Sequence, residues 1–336
     1  MISRQILSIT IVLLGSFSSC AGQKNDKRMI NETKSVNPLL CDPQTGICEI
    51  PLSGSVDSAG NNLLSKDKPL KVIYFTDPIC SSCWGIEPQL RKLKLEYGAQ
   101  LEIEYRMGGL LPDWSYNSGG ISKPSDVAGH WDEVSVYYDM PIDGDVWIED
   151  PLASSYPPSI AFKAAQMQDK QKAILFLREI REMVFLQKKN IAKWEHIAAA
   201  AQKVGLNVTQ LKTDFENGAV TLFEEDLQLA RQYGVRGFPT IFFADSLGNK
   251  EMVYGTKPYA VYETTIHKLL PKVMKSDYHK NWQALFSVYH SLTAKEFAEL
   301  SGTPRNKSEQ VLDDLVASGH LEKSAIKNGA IWRLKR

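Results

Sequence analysis

The sequence lacks the features that mark several large classes of protein. Its 336 residues contain 39 basic and 39 acidic side chains, so the formal net charge is zero and gives no general attraction to nucleic acid. The six histidines do not cluster at the spacing of metal ligands, and the sequence contains neither a phosphate-binding glycine loop nor a tandem repeat. We therefore predict no metal site and no nucleic-acid partner. Only five cysteines are present, and they carry the strongest functional signal.

Two of the cysteines, Cys80 and Cys83, lie where an apolar strand gives way to a helix. The β-branched run before them ends at Pro78, and a helix-like segment follows them. The first turn of a helix has unpaired N–H groups and a partial positive charge, which lower the pKa of a thiol from about 8.5. We expect Cys80 to be the attacking nucleophile of a redox-active pair and Cys83 to resolve the mixed disulfide. The alternative is a zinc site in which Cys41 and Cys48 supply further ligands, although their spacing is unusual for zinc.

Two prolines and the residues around the cysteine pair give the chain a family resemblance. Pro88 lies within the helix-like run, and a turn at Phe238-Pro239 leads into a β-branched and aromatic strand. In both respects the sequence resembles thioredoxin-fold proteins, and the run from Cys80 to Gly98 is similar to the SpxH/YjbH group of DsbA-like proteins. The resemblance implies that Pro88 kinks the active-site helix and that a cis Pro239, with Phe238, shapes a substrate groove opposite the cysteines. Taken alone, Pro239 reads as an ordinary trans proline at the start of a strand.

The resemblance implies an α/β fold, namely a thioredoxin-like fold with an inserted helical domain. Strongly helical stretches near residues 159–166, 173–186 and 192–204 lie between the cysteine pair and the late proline. The predicted boundaries are a first thioredoxin part at 67–124, a helical insertion at 125–228 and a second thioredoxin part at 229–278.

Residues 112–158 are rich in Trp, Tyr, Gly, Asp and Pro, and we expect them to form a long irregular excursion. Its tryptophans, Trp114, Trp131 and Trp147, either line a substrate groove or cap the core of the helical domain.

Residues 283–336 are expected to form a separate, winged-helix-like module. Thr293 and Glu296 fit a capping box at the start of a helix, and a second helix and a hairpin follow. The segment carries eight Lys/Arg against six Asp/Glu, without the basic strip that usually accompanies DNA binding. We therefore interpret it as a module for protein contact or dimerisation.

The N-terminus has the outline of a bacterial export signal. Residues 1–19 contain Arg4 and then an apolar run too short for an obvious membrane-spanning helix, and small residues precede Cys20. We expect Cys20 to be lipidated and residues 20–66 to form a tether, which predicts an envelope lipoprotein anchored to the membrane and facing the periplasm or the exterior.

Cys41 and Cys48 flank a segment with Pro and Gly, which favour a turn that brings the two sulfurs together. A structural disulfide there fits an oxidising compartment. A second redox pair that exchanges electrons with Cys80 and Cys83 is the alternative.

The leading functional hypothesis is a DsbA-like thiol–disulfide oxidoreductase that acts on protein thiols or disulfides. It needs no organic cofactor, because the electrons pass between the sulfurs of Cys80 and Cys83. The alternative implied by the resemblance is a non-enzymatic adaptor that delivers a partner protein to the protease ClpXP.

Overall fold

A four-stranded mixed sheet lies at the centre of the computed structural model, which describes residues 41–42, 45–49, 68–115 and 121–335. Strand β2 (Leu70–Thr76) is apolar and almost entirely buried, as expected for a central strand. It pairs in parallel with β3 (Leu101–Met107) and antiparallel with β5 (Thr240–Asp245), and β5 pairs antiparallel with β6 (Lys250–Tyr254). The order β3-β2-β5-β6 brings the end of β2 beside the start of β5.

The helix after β2 is broken near its start. Helix α1 (Ser81–Gly85) ends at Ile86, and α2 (Glu87–Tyr97) begins with Pro88 in its first turn. Proline has no N–H to donate and is tolerated at that position of a helix. The break predicted at Pro88 is present.

Among the described residues between β3 and β5, seven helices form the insertion. They are α3 (Ser125–Tyr138), α4 (Val146–Glu149), α5 (Tyr156–Gln168), α6 (Lys170–Leu186), α7 (Trp194–Lys203), α8 (Val208–Glu216) and α9 (Gly218–Gln232). The three helical stretches predicted in this region are confirmed. The inserted helical domain of the fold class is therefore present.

The prediction that residues 112–158 are irregular is wrong, because α3 and α4 form there. The buried side chains of α3 include Val127, Trp131, Val134 and Tyr138, which recur at helical spacing and outweigh the turn-forming residues nearby.

The tryptophans of this region cap the core. Trp131 and Trp147 are each 1% exposed, and their ring centroids lie 5.1 Å apart in an edge-to-face arrangement. Trp114 packs edge-on against Trp147 at 5.8 Å, and Trp131 lies 4.8 Å from Phe185 of α6. The packing interpretation is therefore correct for Trp131 and Trp147, which are too buried to line a groove, whereas Trp114 is half-buried.

The C-terminal region builds a second, smaller core. After α10 (Tyr259–Leu269), it contains α11 (Trp282–Val288), β7 (Ser291–Thr293), α12 (Ala294–Ser301), α13 (Arg305–Ala317), β8 (Leu321–Ile326) and β9 (Gly329–Leu334). The three strands form an antiparallel sheet in the order β7-β9-β8. The predicted capping box is present, since the Thr293 hydroxyl accepts from the Glu296 N–H and the Glu296 carboxylate accepts from the Thr293 N–H. The winged-helix designation stays a prediction.

The C-terminal region is attached to the rest of the fold more firmly than a separate module would be. The fully buried Glu296 pairs with Arg178 of α6 at 2.7 Å and with Arg91 of α2 at 3.2 Å. Arg333 pairs with Glu182 of α6 at 2.6 Å. Because buried charges need their partners, these pairs make removal of the module costly.

The residues predicted as signal peptide, lipid site and most of the tether, including Cys20, lie outside the described residues. Of the helices that the structure describes, none has the length and apolar character to cross a bilayer.

Candidate active site

The strand–helix junction places Cys80 and Cys83 together. Cys80 is the N-cap of α1 in an extended conformation, and its Sγ accepts from the backbone N–H of Cys83 at 3.2 Å. The fully buried Asp77 fixes the preceding turn by accepting from the N–H of Ile79 at 3.0 Å and from that of Leu110 at 2.8 Å. Burial raises the pKa of Asp77 to about 6, although its hydrogen bonds oppose the rise. The junction therefore holds the two thiols in a fixed geometry.

A buried arginine supplies the positive charge beside the pair. Arg181 of α6 donates to the Thr76 hydroxyl at 2.6 Å and to the carbonyl of Asp77 at 3.1 Å, and it pairs with Glu87 at 2.7 Å. Burial opposes ionisation of Cys83, but the hydrogen bond with Cys80 and the charge of Arg181 outweigh it and lower the pKa of Cys83.

The pKa of Cys80 differs from the lowered value expected for a thiol at the start of a helix. Burial raises the pKa of Cys80 well above its ordinary value, and the adjacent Cys83 adds to the rise. The expected lowering is therefore wrong for the site as it stands in the structure, where Cys80 is fully buried. The charge of Arg181 thus favours ionisation of Cys83, and burial opposes that of Cys80.

The loop before β5 lies at the same end of the sheet. The Phe238–Pro239 peptide bond is cis, and the short strand β4 (Gly237–Phe238) precedes it. The Phe238 side chain is fully buried, and a Cβ atom added at Gly108 would overlap its ring, so Phe238 offers its backbone rather than its side chain to the groove. Pro239 is also buried.

A disulfide hairpin covers this loop. Cys41 and Cys48 are bonded, and Asp42 and Ile47 form an isolated antiparallel bridge between them. Strand β1 (Cys48–Glu49) then pairs antiparallel with β4, with Cys48 opposite Phe238. The Cys41/Cys48 loop predicted within the tether is thus docked on the thioredoxin fold at residues 41–42 and 45–49, because their backbone finds partners there.

The hairpin brings its disulfide to the active-site cysteine. The Cys48 Sγ lies 3.3 Å from the Cys80 Sγ. The Ser81 hydroxyl donates to the Cys41 Sγ at 3.1 Å, and Ser82 Oγ lies 3.4 Å from the Cys48 Sγ. The two serines between the active-site cysteines thus contact the opposing disulfide.

The three sulfurs of Cys41, Cys48 and Cys80 lie within 4.8 Å of one another and form the one candidate ligand group found among the described residues. Two of them are joined in the disulfide, so they are not thiolates available to a metal ion. The expectation of no metal site stays a prediction.

Several residues of the site were not found from the sequence. Arg181 lies in a helix of alternating charged and apolar residues and has no local signal that distinguishes it from a solvated arginine. Asp77 precedes a proline and reads as part of a turn. Tyr138, whose hydroxyl lies 2.6 Å from Ser82 Oγ, comes from a stretch predicted to be irregular.

Known proteins resemble this chain in sequence and in fold. The model of a family described as Thioredoxin matches residues 74–264. The ClpXP adapter protein SpxH of Halalkalibacterium halodurans is 34% identical over 304 residues, covering 88% of this chain and 97% of the relative. SpxH of Bacillus subtilis is 28% identical and covers 79% and 89%. A putative protein disulfide isomerase from Nitrosomonas europaea, with 19% identity and a TM-score of 0.51, shares the fold over 61% of this chain and 97% of its own.

Proposed function

We propose, on the premise that this chain belongs to the DsbA-like, thioredoxin-fold family that includes the SpxH proteins, that it is a thiol–disulfide oxidoreductase acting on protein thiols or disulfides. The observation that carries the proposal is the placement of Cys80. Its Sγ is held at a helix start by the Cys83 N–H and lies 3.3 Å from a disulfide sulfur, which is within the range of reacting atoms.

The proposed reaction passes two electrons between sulfurs. In the reducing direction Cys80 loses its proton to Cys83 and attacks a disulfide of the client protein, and one client cysteine leaves as a thiolate. That thiolate takes the proton back from Cys83. Cys83 then attacks Cys80, releases the second client cysteine and closes the Cys80–Cys83 disulfide. The oxidising direction is the reverse, and neither direction requires an organic cofactor.

Reduction of insulin disulfides by the full chain, with dithiothreitol as the electron source, tests the proposal. Cys80→Ser is expected to reduce the rate to that of dithiothreitol alone, because the nucleophile is lost. Cys83→Ala, reduced beforehand and mixed with insulin after removal of the dithiothreitol, is expected to accumulate a mixed disulfide between insulin and Cys80, which is visible on a non-reducing gel. Thermal melting of both variants checks that they fold. A folded Cys80→Ser variant with the wild-type rate would contradict the mechanism.

The compartment is part of the proposal. We place the protein in the bacterial cell envelope, with residues 1–19 as its signal and a lipid on Cys20. The Cys41–Cys48 disulfide supports an oxidising compartment. A fusion of residues 1–40 to a reporter that is active only outside the cytoplasm is expected to be active, and a silent fusion would contradict this location.

A second candidate function is favoured by the relatives. SpxH of H. halodurans, which is named a ClpXP adapter, aligns with this chain over 97% of its own length. The chain would then be a non-enzymatic adaptor that delivers a partner protein to ClpXP. The Cys80→Ser variant separates the two functions, since an adaptor keeps accelerating degradation of its partner by ClpXP and an oxidoreductase loses insulin reduction.

A further inference from the structure

We propose that the disulfide hairpin formed by residues 41–42 and 45–49 is an intramolecular substrate of the Cys80/Cys83 pair, so that one chain carries two couples that exchange electrons. The inference rests on the proposed function and names the first disulfide on which Cys80 acts. A disulfide that only closes a loop needs neither a thiol beside it nor a specific approach to the loop before Pro239. This hairpin has both.

The hairpin docks as an added strand. Pairing of Cys48 with Phe238 and of Glu49 with Gly237 gives main-chain recognition of the kind by which extended peptides bind sheet edges. The approach depends on glycine, since a Cβ at Gly237 would lie 2.5 Å from the carbonyl oxygen of Cys48. On the other side of the hairpin, the Thr256 N–H donates to the carbonyl of Gly46 at 3.0 Å. The fold is therefore shaped to receive this segment of its own chain.

The Cys80 Sγ is close enough to the Cys48 Sγ to attack it, with Cys41 as the leaving group. The Cys80 Sγ lies 3.3 Å from the Cys48 Sγ. The hydroxyl of Ser81 donates to the Cys41 Sγ at 3.1 Å, where negative charge develops as the disulfide breaks. Ser82 lies beside the other sulfur of the hairpin. Each of the two serines thus has a position that suits the exchange.

The exchange is balanced within the chain. Starting from the reduced active-site pair, the Cys80 thiol passes its proton to the Cys83 thiolate and attacks the Cys48 Sγ, so that the Cys48–Cys80 bond forms and Cys41 leaves as a thiolate. Cys41 takes the proton from Cys83. Cys83 then attacks Cys80, which forms the Cys80–Cys83 disulfide and releases Cys48 as a thiolate. Two electrons have moved from the active-site pair, which is oxidised, to the hairpin pair, which is reduced.

The hairpin also restricts access to the active-site pair. Cys80 and Cys83 are both fully buried while it is docked. A disulfide of another protein reaches Cys80 only when the hairpin leaves the groove.

The matched double variants Cys41→Ala/Cys83→Ala and Cys48→Ala/Cys83→Ala of the full chain test the sulfur geometry. Each leaves one hairpin cysteine with Cys80. After equilibration in glutathione buffers, alkylation and peptide mapping, the first variant is expected to form the Cys48–Cys80 disulfide. The second is expected to form its Cys41–Cys80 disulfide with an equilibrium constant lower by roughly tenfold or more, because the pairing of β1 with β4 holds the Cys48 Sγ at 3.3 Å from the Cys80 Sγ. Equal constants, or no Cys48–Cys80 link in the first variant, would overturn the proposal.

A second measurement keeps all the cysteines. The fully oxidised chain is treated with less than one equivalent of dithiothreitol, and the new thiols are mapped with time. In the wild type they are expected on both pairs in a ratio that is constant from the first time point, because exchange is internal. Gly237→Ala obstructs docking of β1 and so slows the internal exchange. In this variant the ratio of new thiols on the two pairs is expected to change with time. A drifting ratio in the wild type would overturn the proposal, as would a stoichiometric zinc ion that protects Cys41, Cys48 and Cys80 of the reduced chain from alkylation.

Failure of this inference is distinguishable from failure of the proposed function. Cys41→Ala/Cys48→Ala removes the internal disulfide and is expected to reduce insulin faster than the wild type, because Cys80 becomes accessible. Insulin reduction by this variant without any Cys48–Cys80 link in the matched variants would overturn the intramolecular substrate alone. The link without insulin reduction by any variant would support the internal exchange and overturn the action on other proteins.

Discussion

The two cysteine pairs of this chain are positioned by different means. Cys80 and Cys83 lie at the junction of a buried strand and a helix, and buried charged groups fix the turn around them. Cys41 and Cys48 lie on a short hairpin whose position depends on a few backbone hydrogen bonds to β4 and to Thr256. All four cysteines are buried in the same core, but the first pair belongs to the strand–helix junction and the second is brought to it by main-chain pairing with β4. A thiol pair that faces a disulfide held by strand pairing is an arrangement suited to exchange rather than to structure alone.

The largest expected effect on the first cysteine pair comes from removing Arg181, which lies beside it. Arg181→Met leaves Glu87 without its closest cation and is expected to reduce the free energy of unfolding by about 3–5 kcal/mol, as for other broken buried pairs. It should also raise the pKa of Cys83, because the charge that lowers it is gone. Chemical denaturation and the pH dependence of thiolate absorbance measure the two effects.

The matched control for this variant is Lys268→Met, whose ammonium group pairs with Glu251 on the exposed surface. It is expected to change the free energy of unfolding by less than about 1 kcal/mol, the range of exposed ion pairs. If Arg181→Met lowers the free energy of unfolding no more than the control does, the buried pair of Arg181 and Glu87 does not stabilise the strand–helix junction.

The second test measures how stability depends on pH through the buried carboxyl group of Asp77. The pKa of Asp77 is raised in the folded protein to about 6, so the folded state binds more protons than the unfolded state between about pH 4 and pH 6. Stability from this group is therefore greatest at the acidic end of that window and falls as the pH rises through it. The free energy of unfolding of the wild type, relative to that of Asp77→Asn, is expected to fall by roughly 2–3 kcal/mol from pH 4 to pH 7. A relative value independent of pH would contradict a raised pKa at Asp77.

Removal of the hairpin disulfide tests how the second cysteine pair affects access to Cys80. The disulfide restricts the conformations of the undocked hairpin. For a loop of this length, the restriction raises the free energy of the undocked state by about 2.5 kcal/mol. In Cys41→Ala/Cys48→Ala the docked state is therefore less favoured, and Cys80 is expected to react with iodoacetamide roughly tenfold faster or more. The free energy of unfolding of the core should change less than in Arg181→Met. An unchanged alkylation rate would show that the hairpin does not control access.

The difference between the pairs also explains what could be predicted from the sequence. The strand before Cys80 and the helix after Cys83 follow from signals within a few residues, and the structure contains them. The break at Pro88, which the resemblance implied, is also present. Phe238 and Pro239 were predicted through a resemblance, since their local sequence fits an ordinary strand start equally well.

Long-range contacts account for what the sequence did not reveal. The pairing of Cys48 with Phe238 joins distant parts of the chain through main-chain atoms, and no side-chain pattern encodes it. The close approach of Gly237 to the Cys48 carbonyl can be predicted only once the partner strand of β4 is known. In the same way the buried role of Arg181 depends on Glu87, Thr76 and the carbonyl of Asp77, which come from other elements.

The smallest expected effect concerns the residue that links the two pairs. Tyr138 of α3 shares a hydrogen bond of 2.6 Å with Ser82, and Ser82 lies 3.4 Å from the Cys48 Sγ. Tyr138→Phe removes only the hydroxyl and is expected to lower the free energy of unfolding by about 1 kcal/mol, the net value of a typical hydrogen bond. Because the hairpin keeps its main-chain pairing with β4, alkylation of Cys80 should change far less than in Cys41→Ala/Cys48→Ala. A comparable acceleration in Tyr138→Phe would mean that side chains of the helical insertion, rather than strand pairing, hold the hairpin in place.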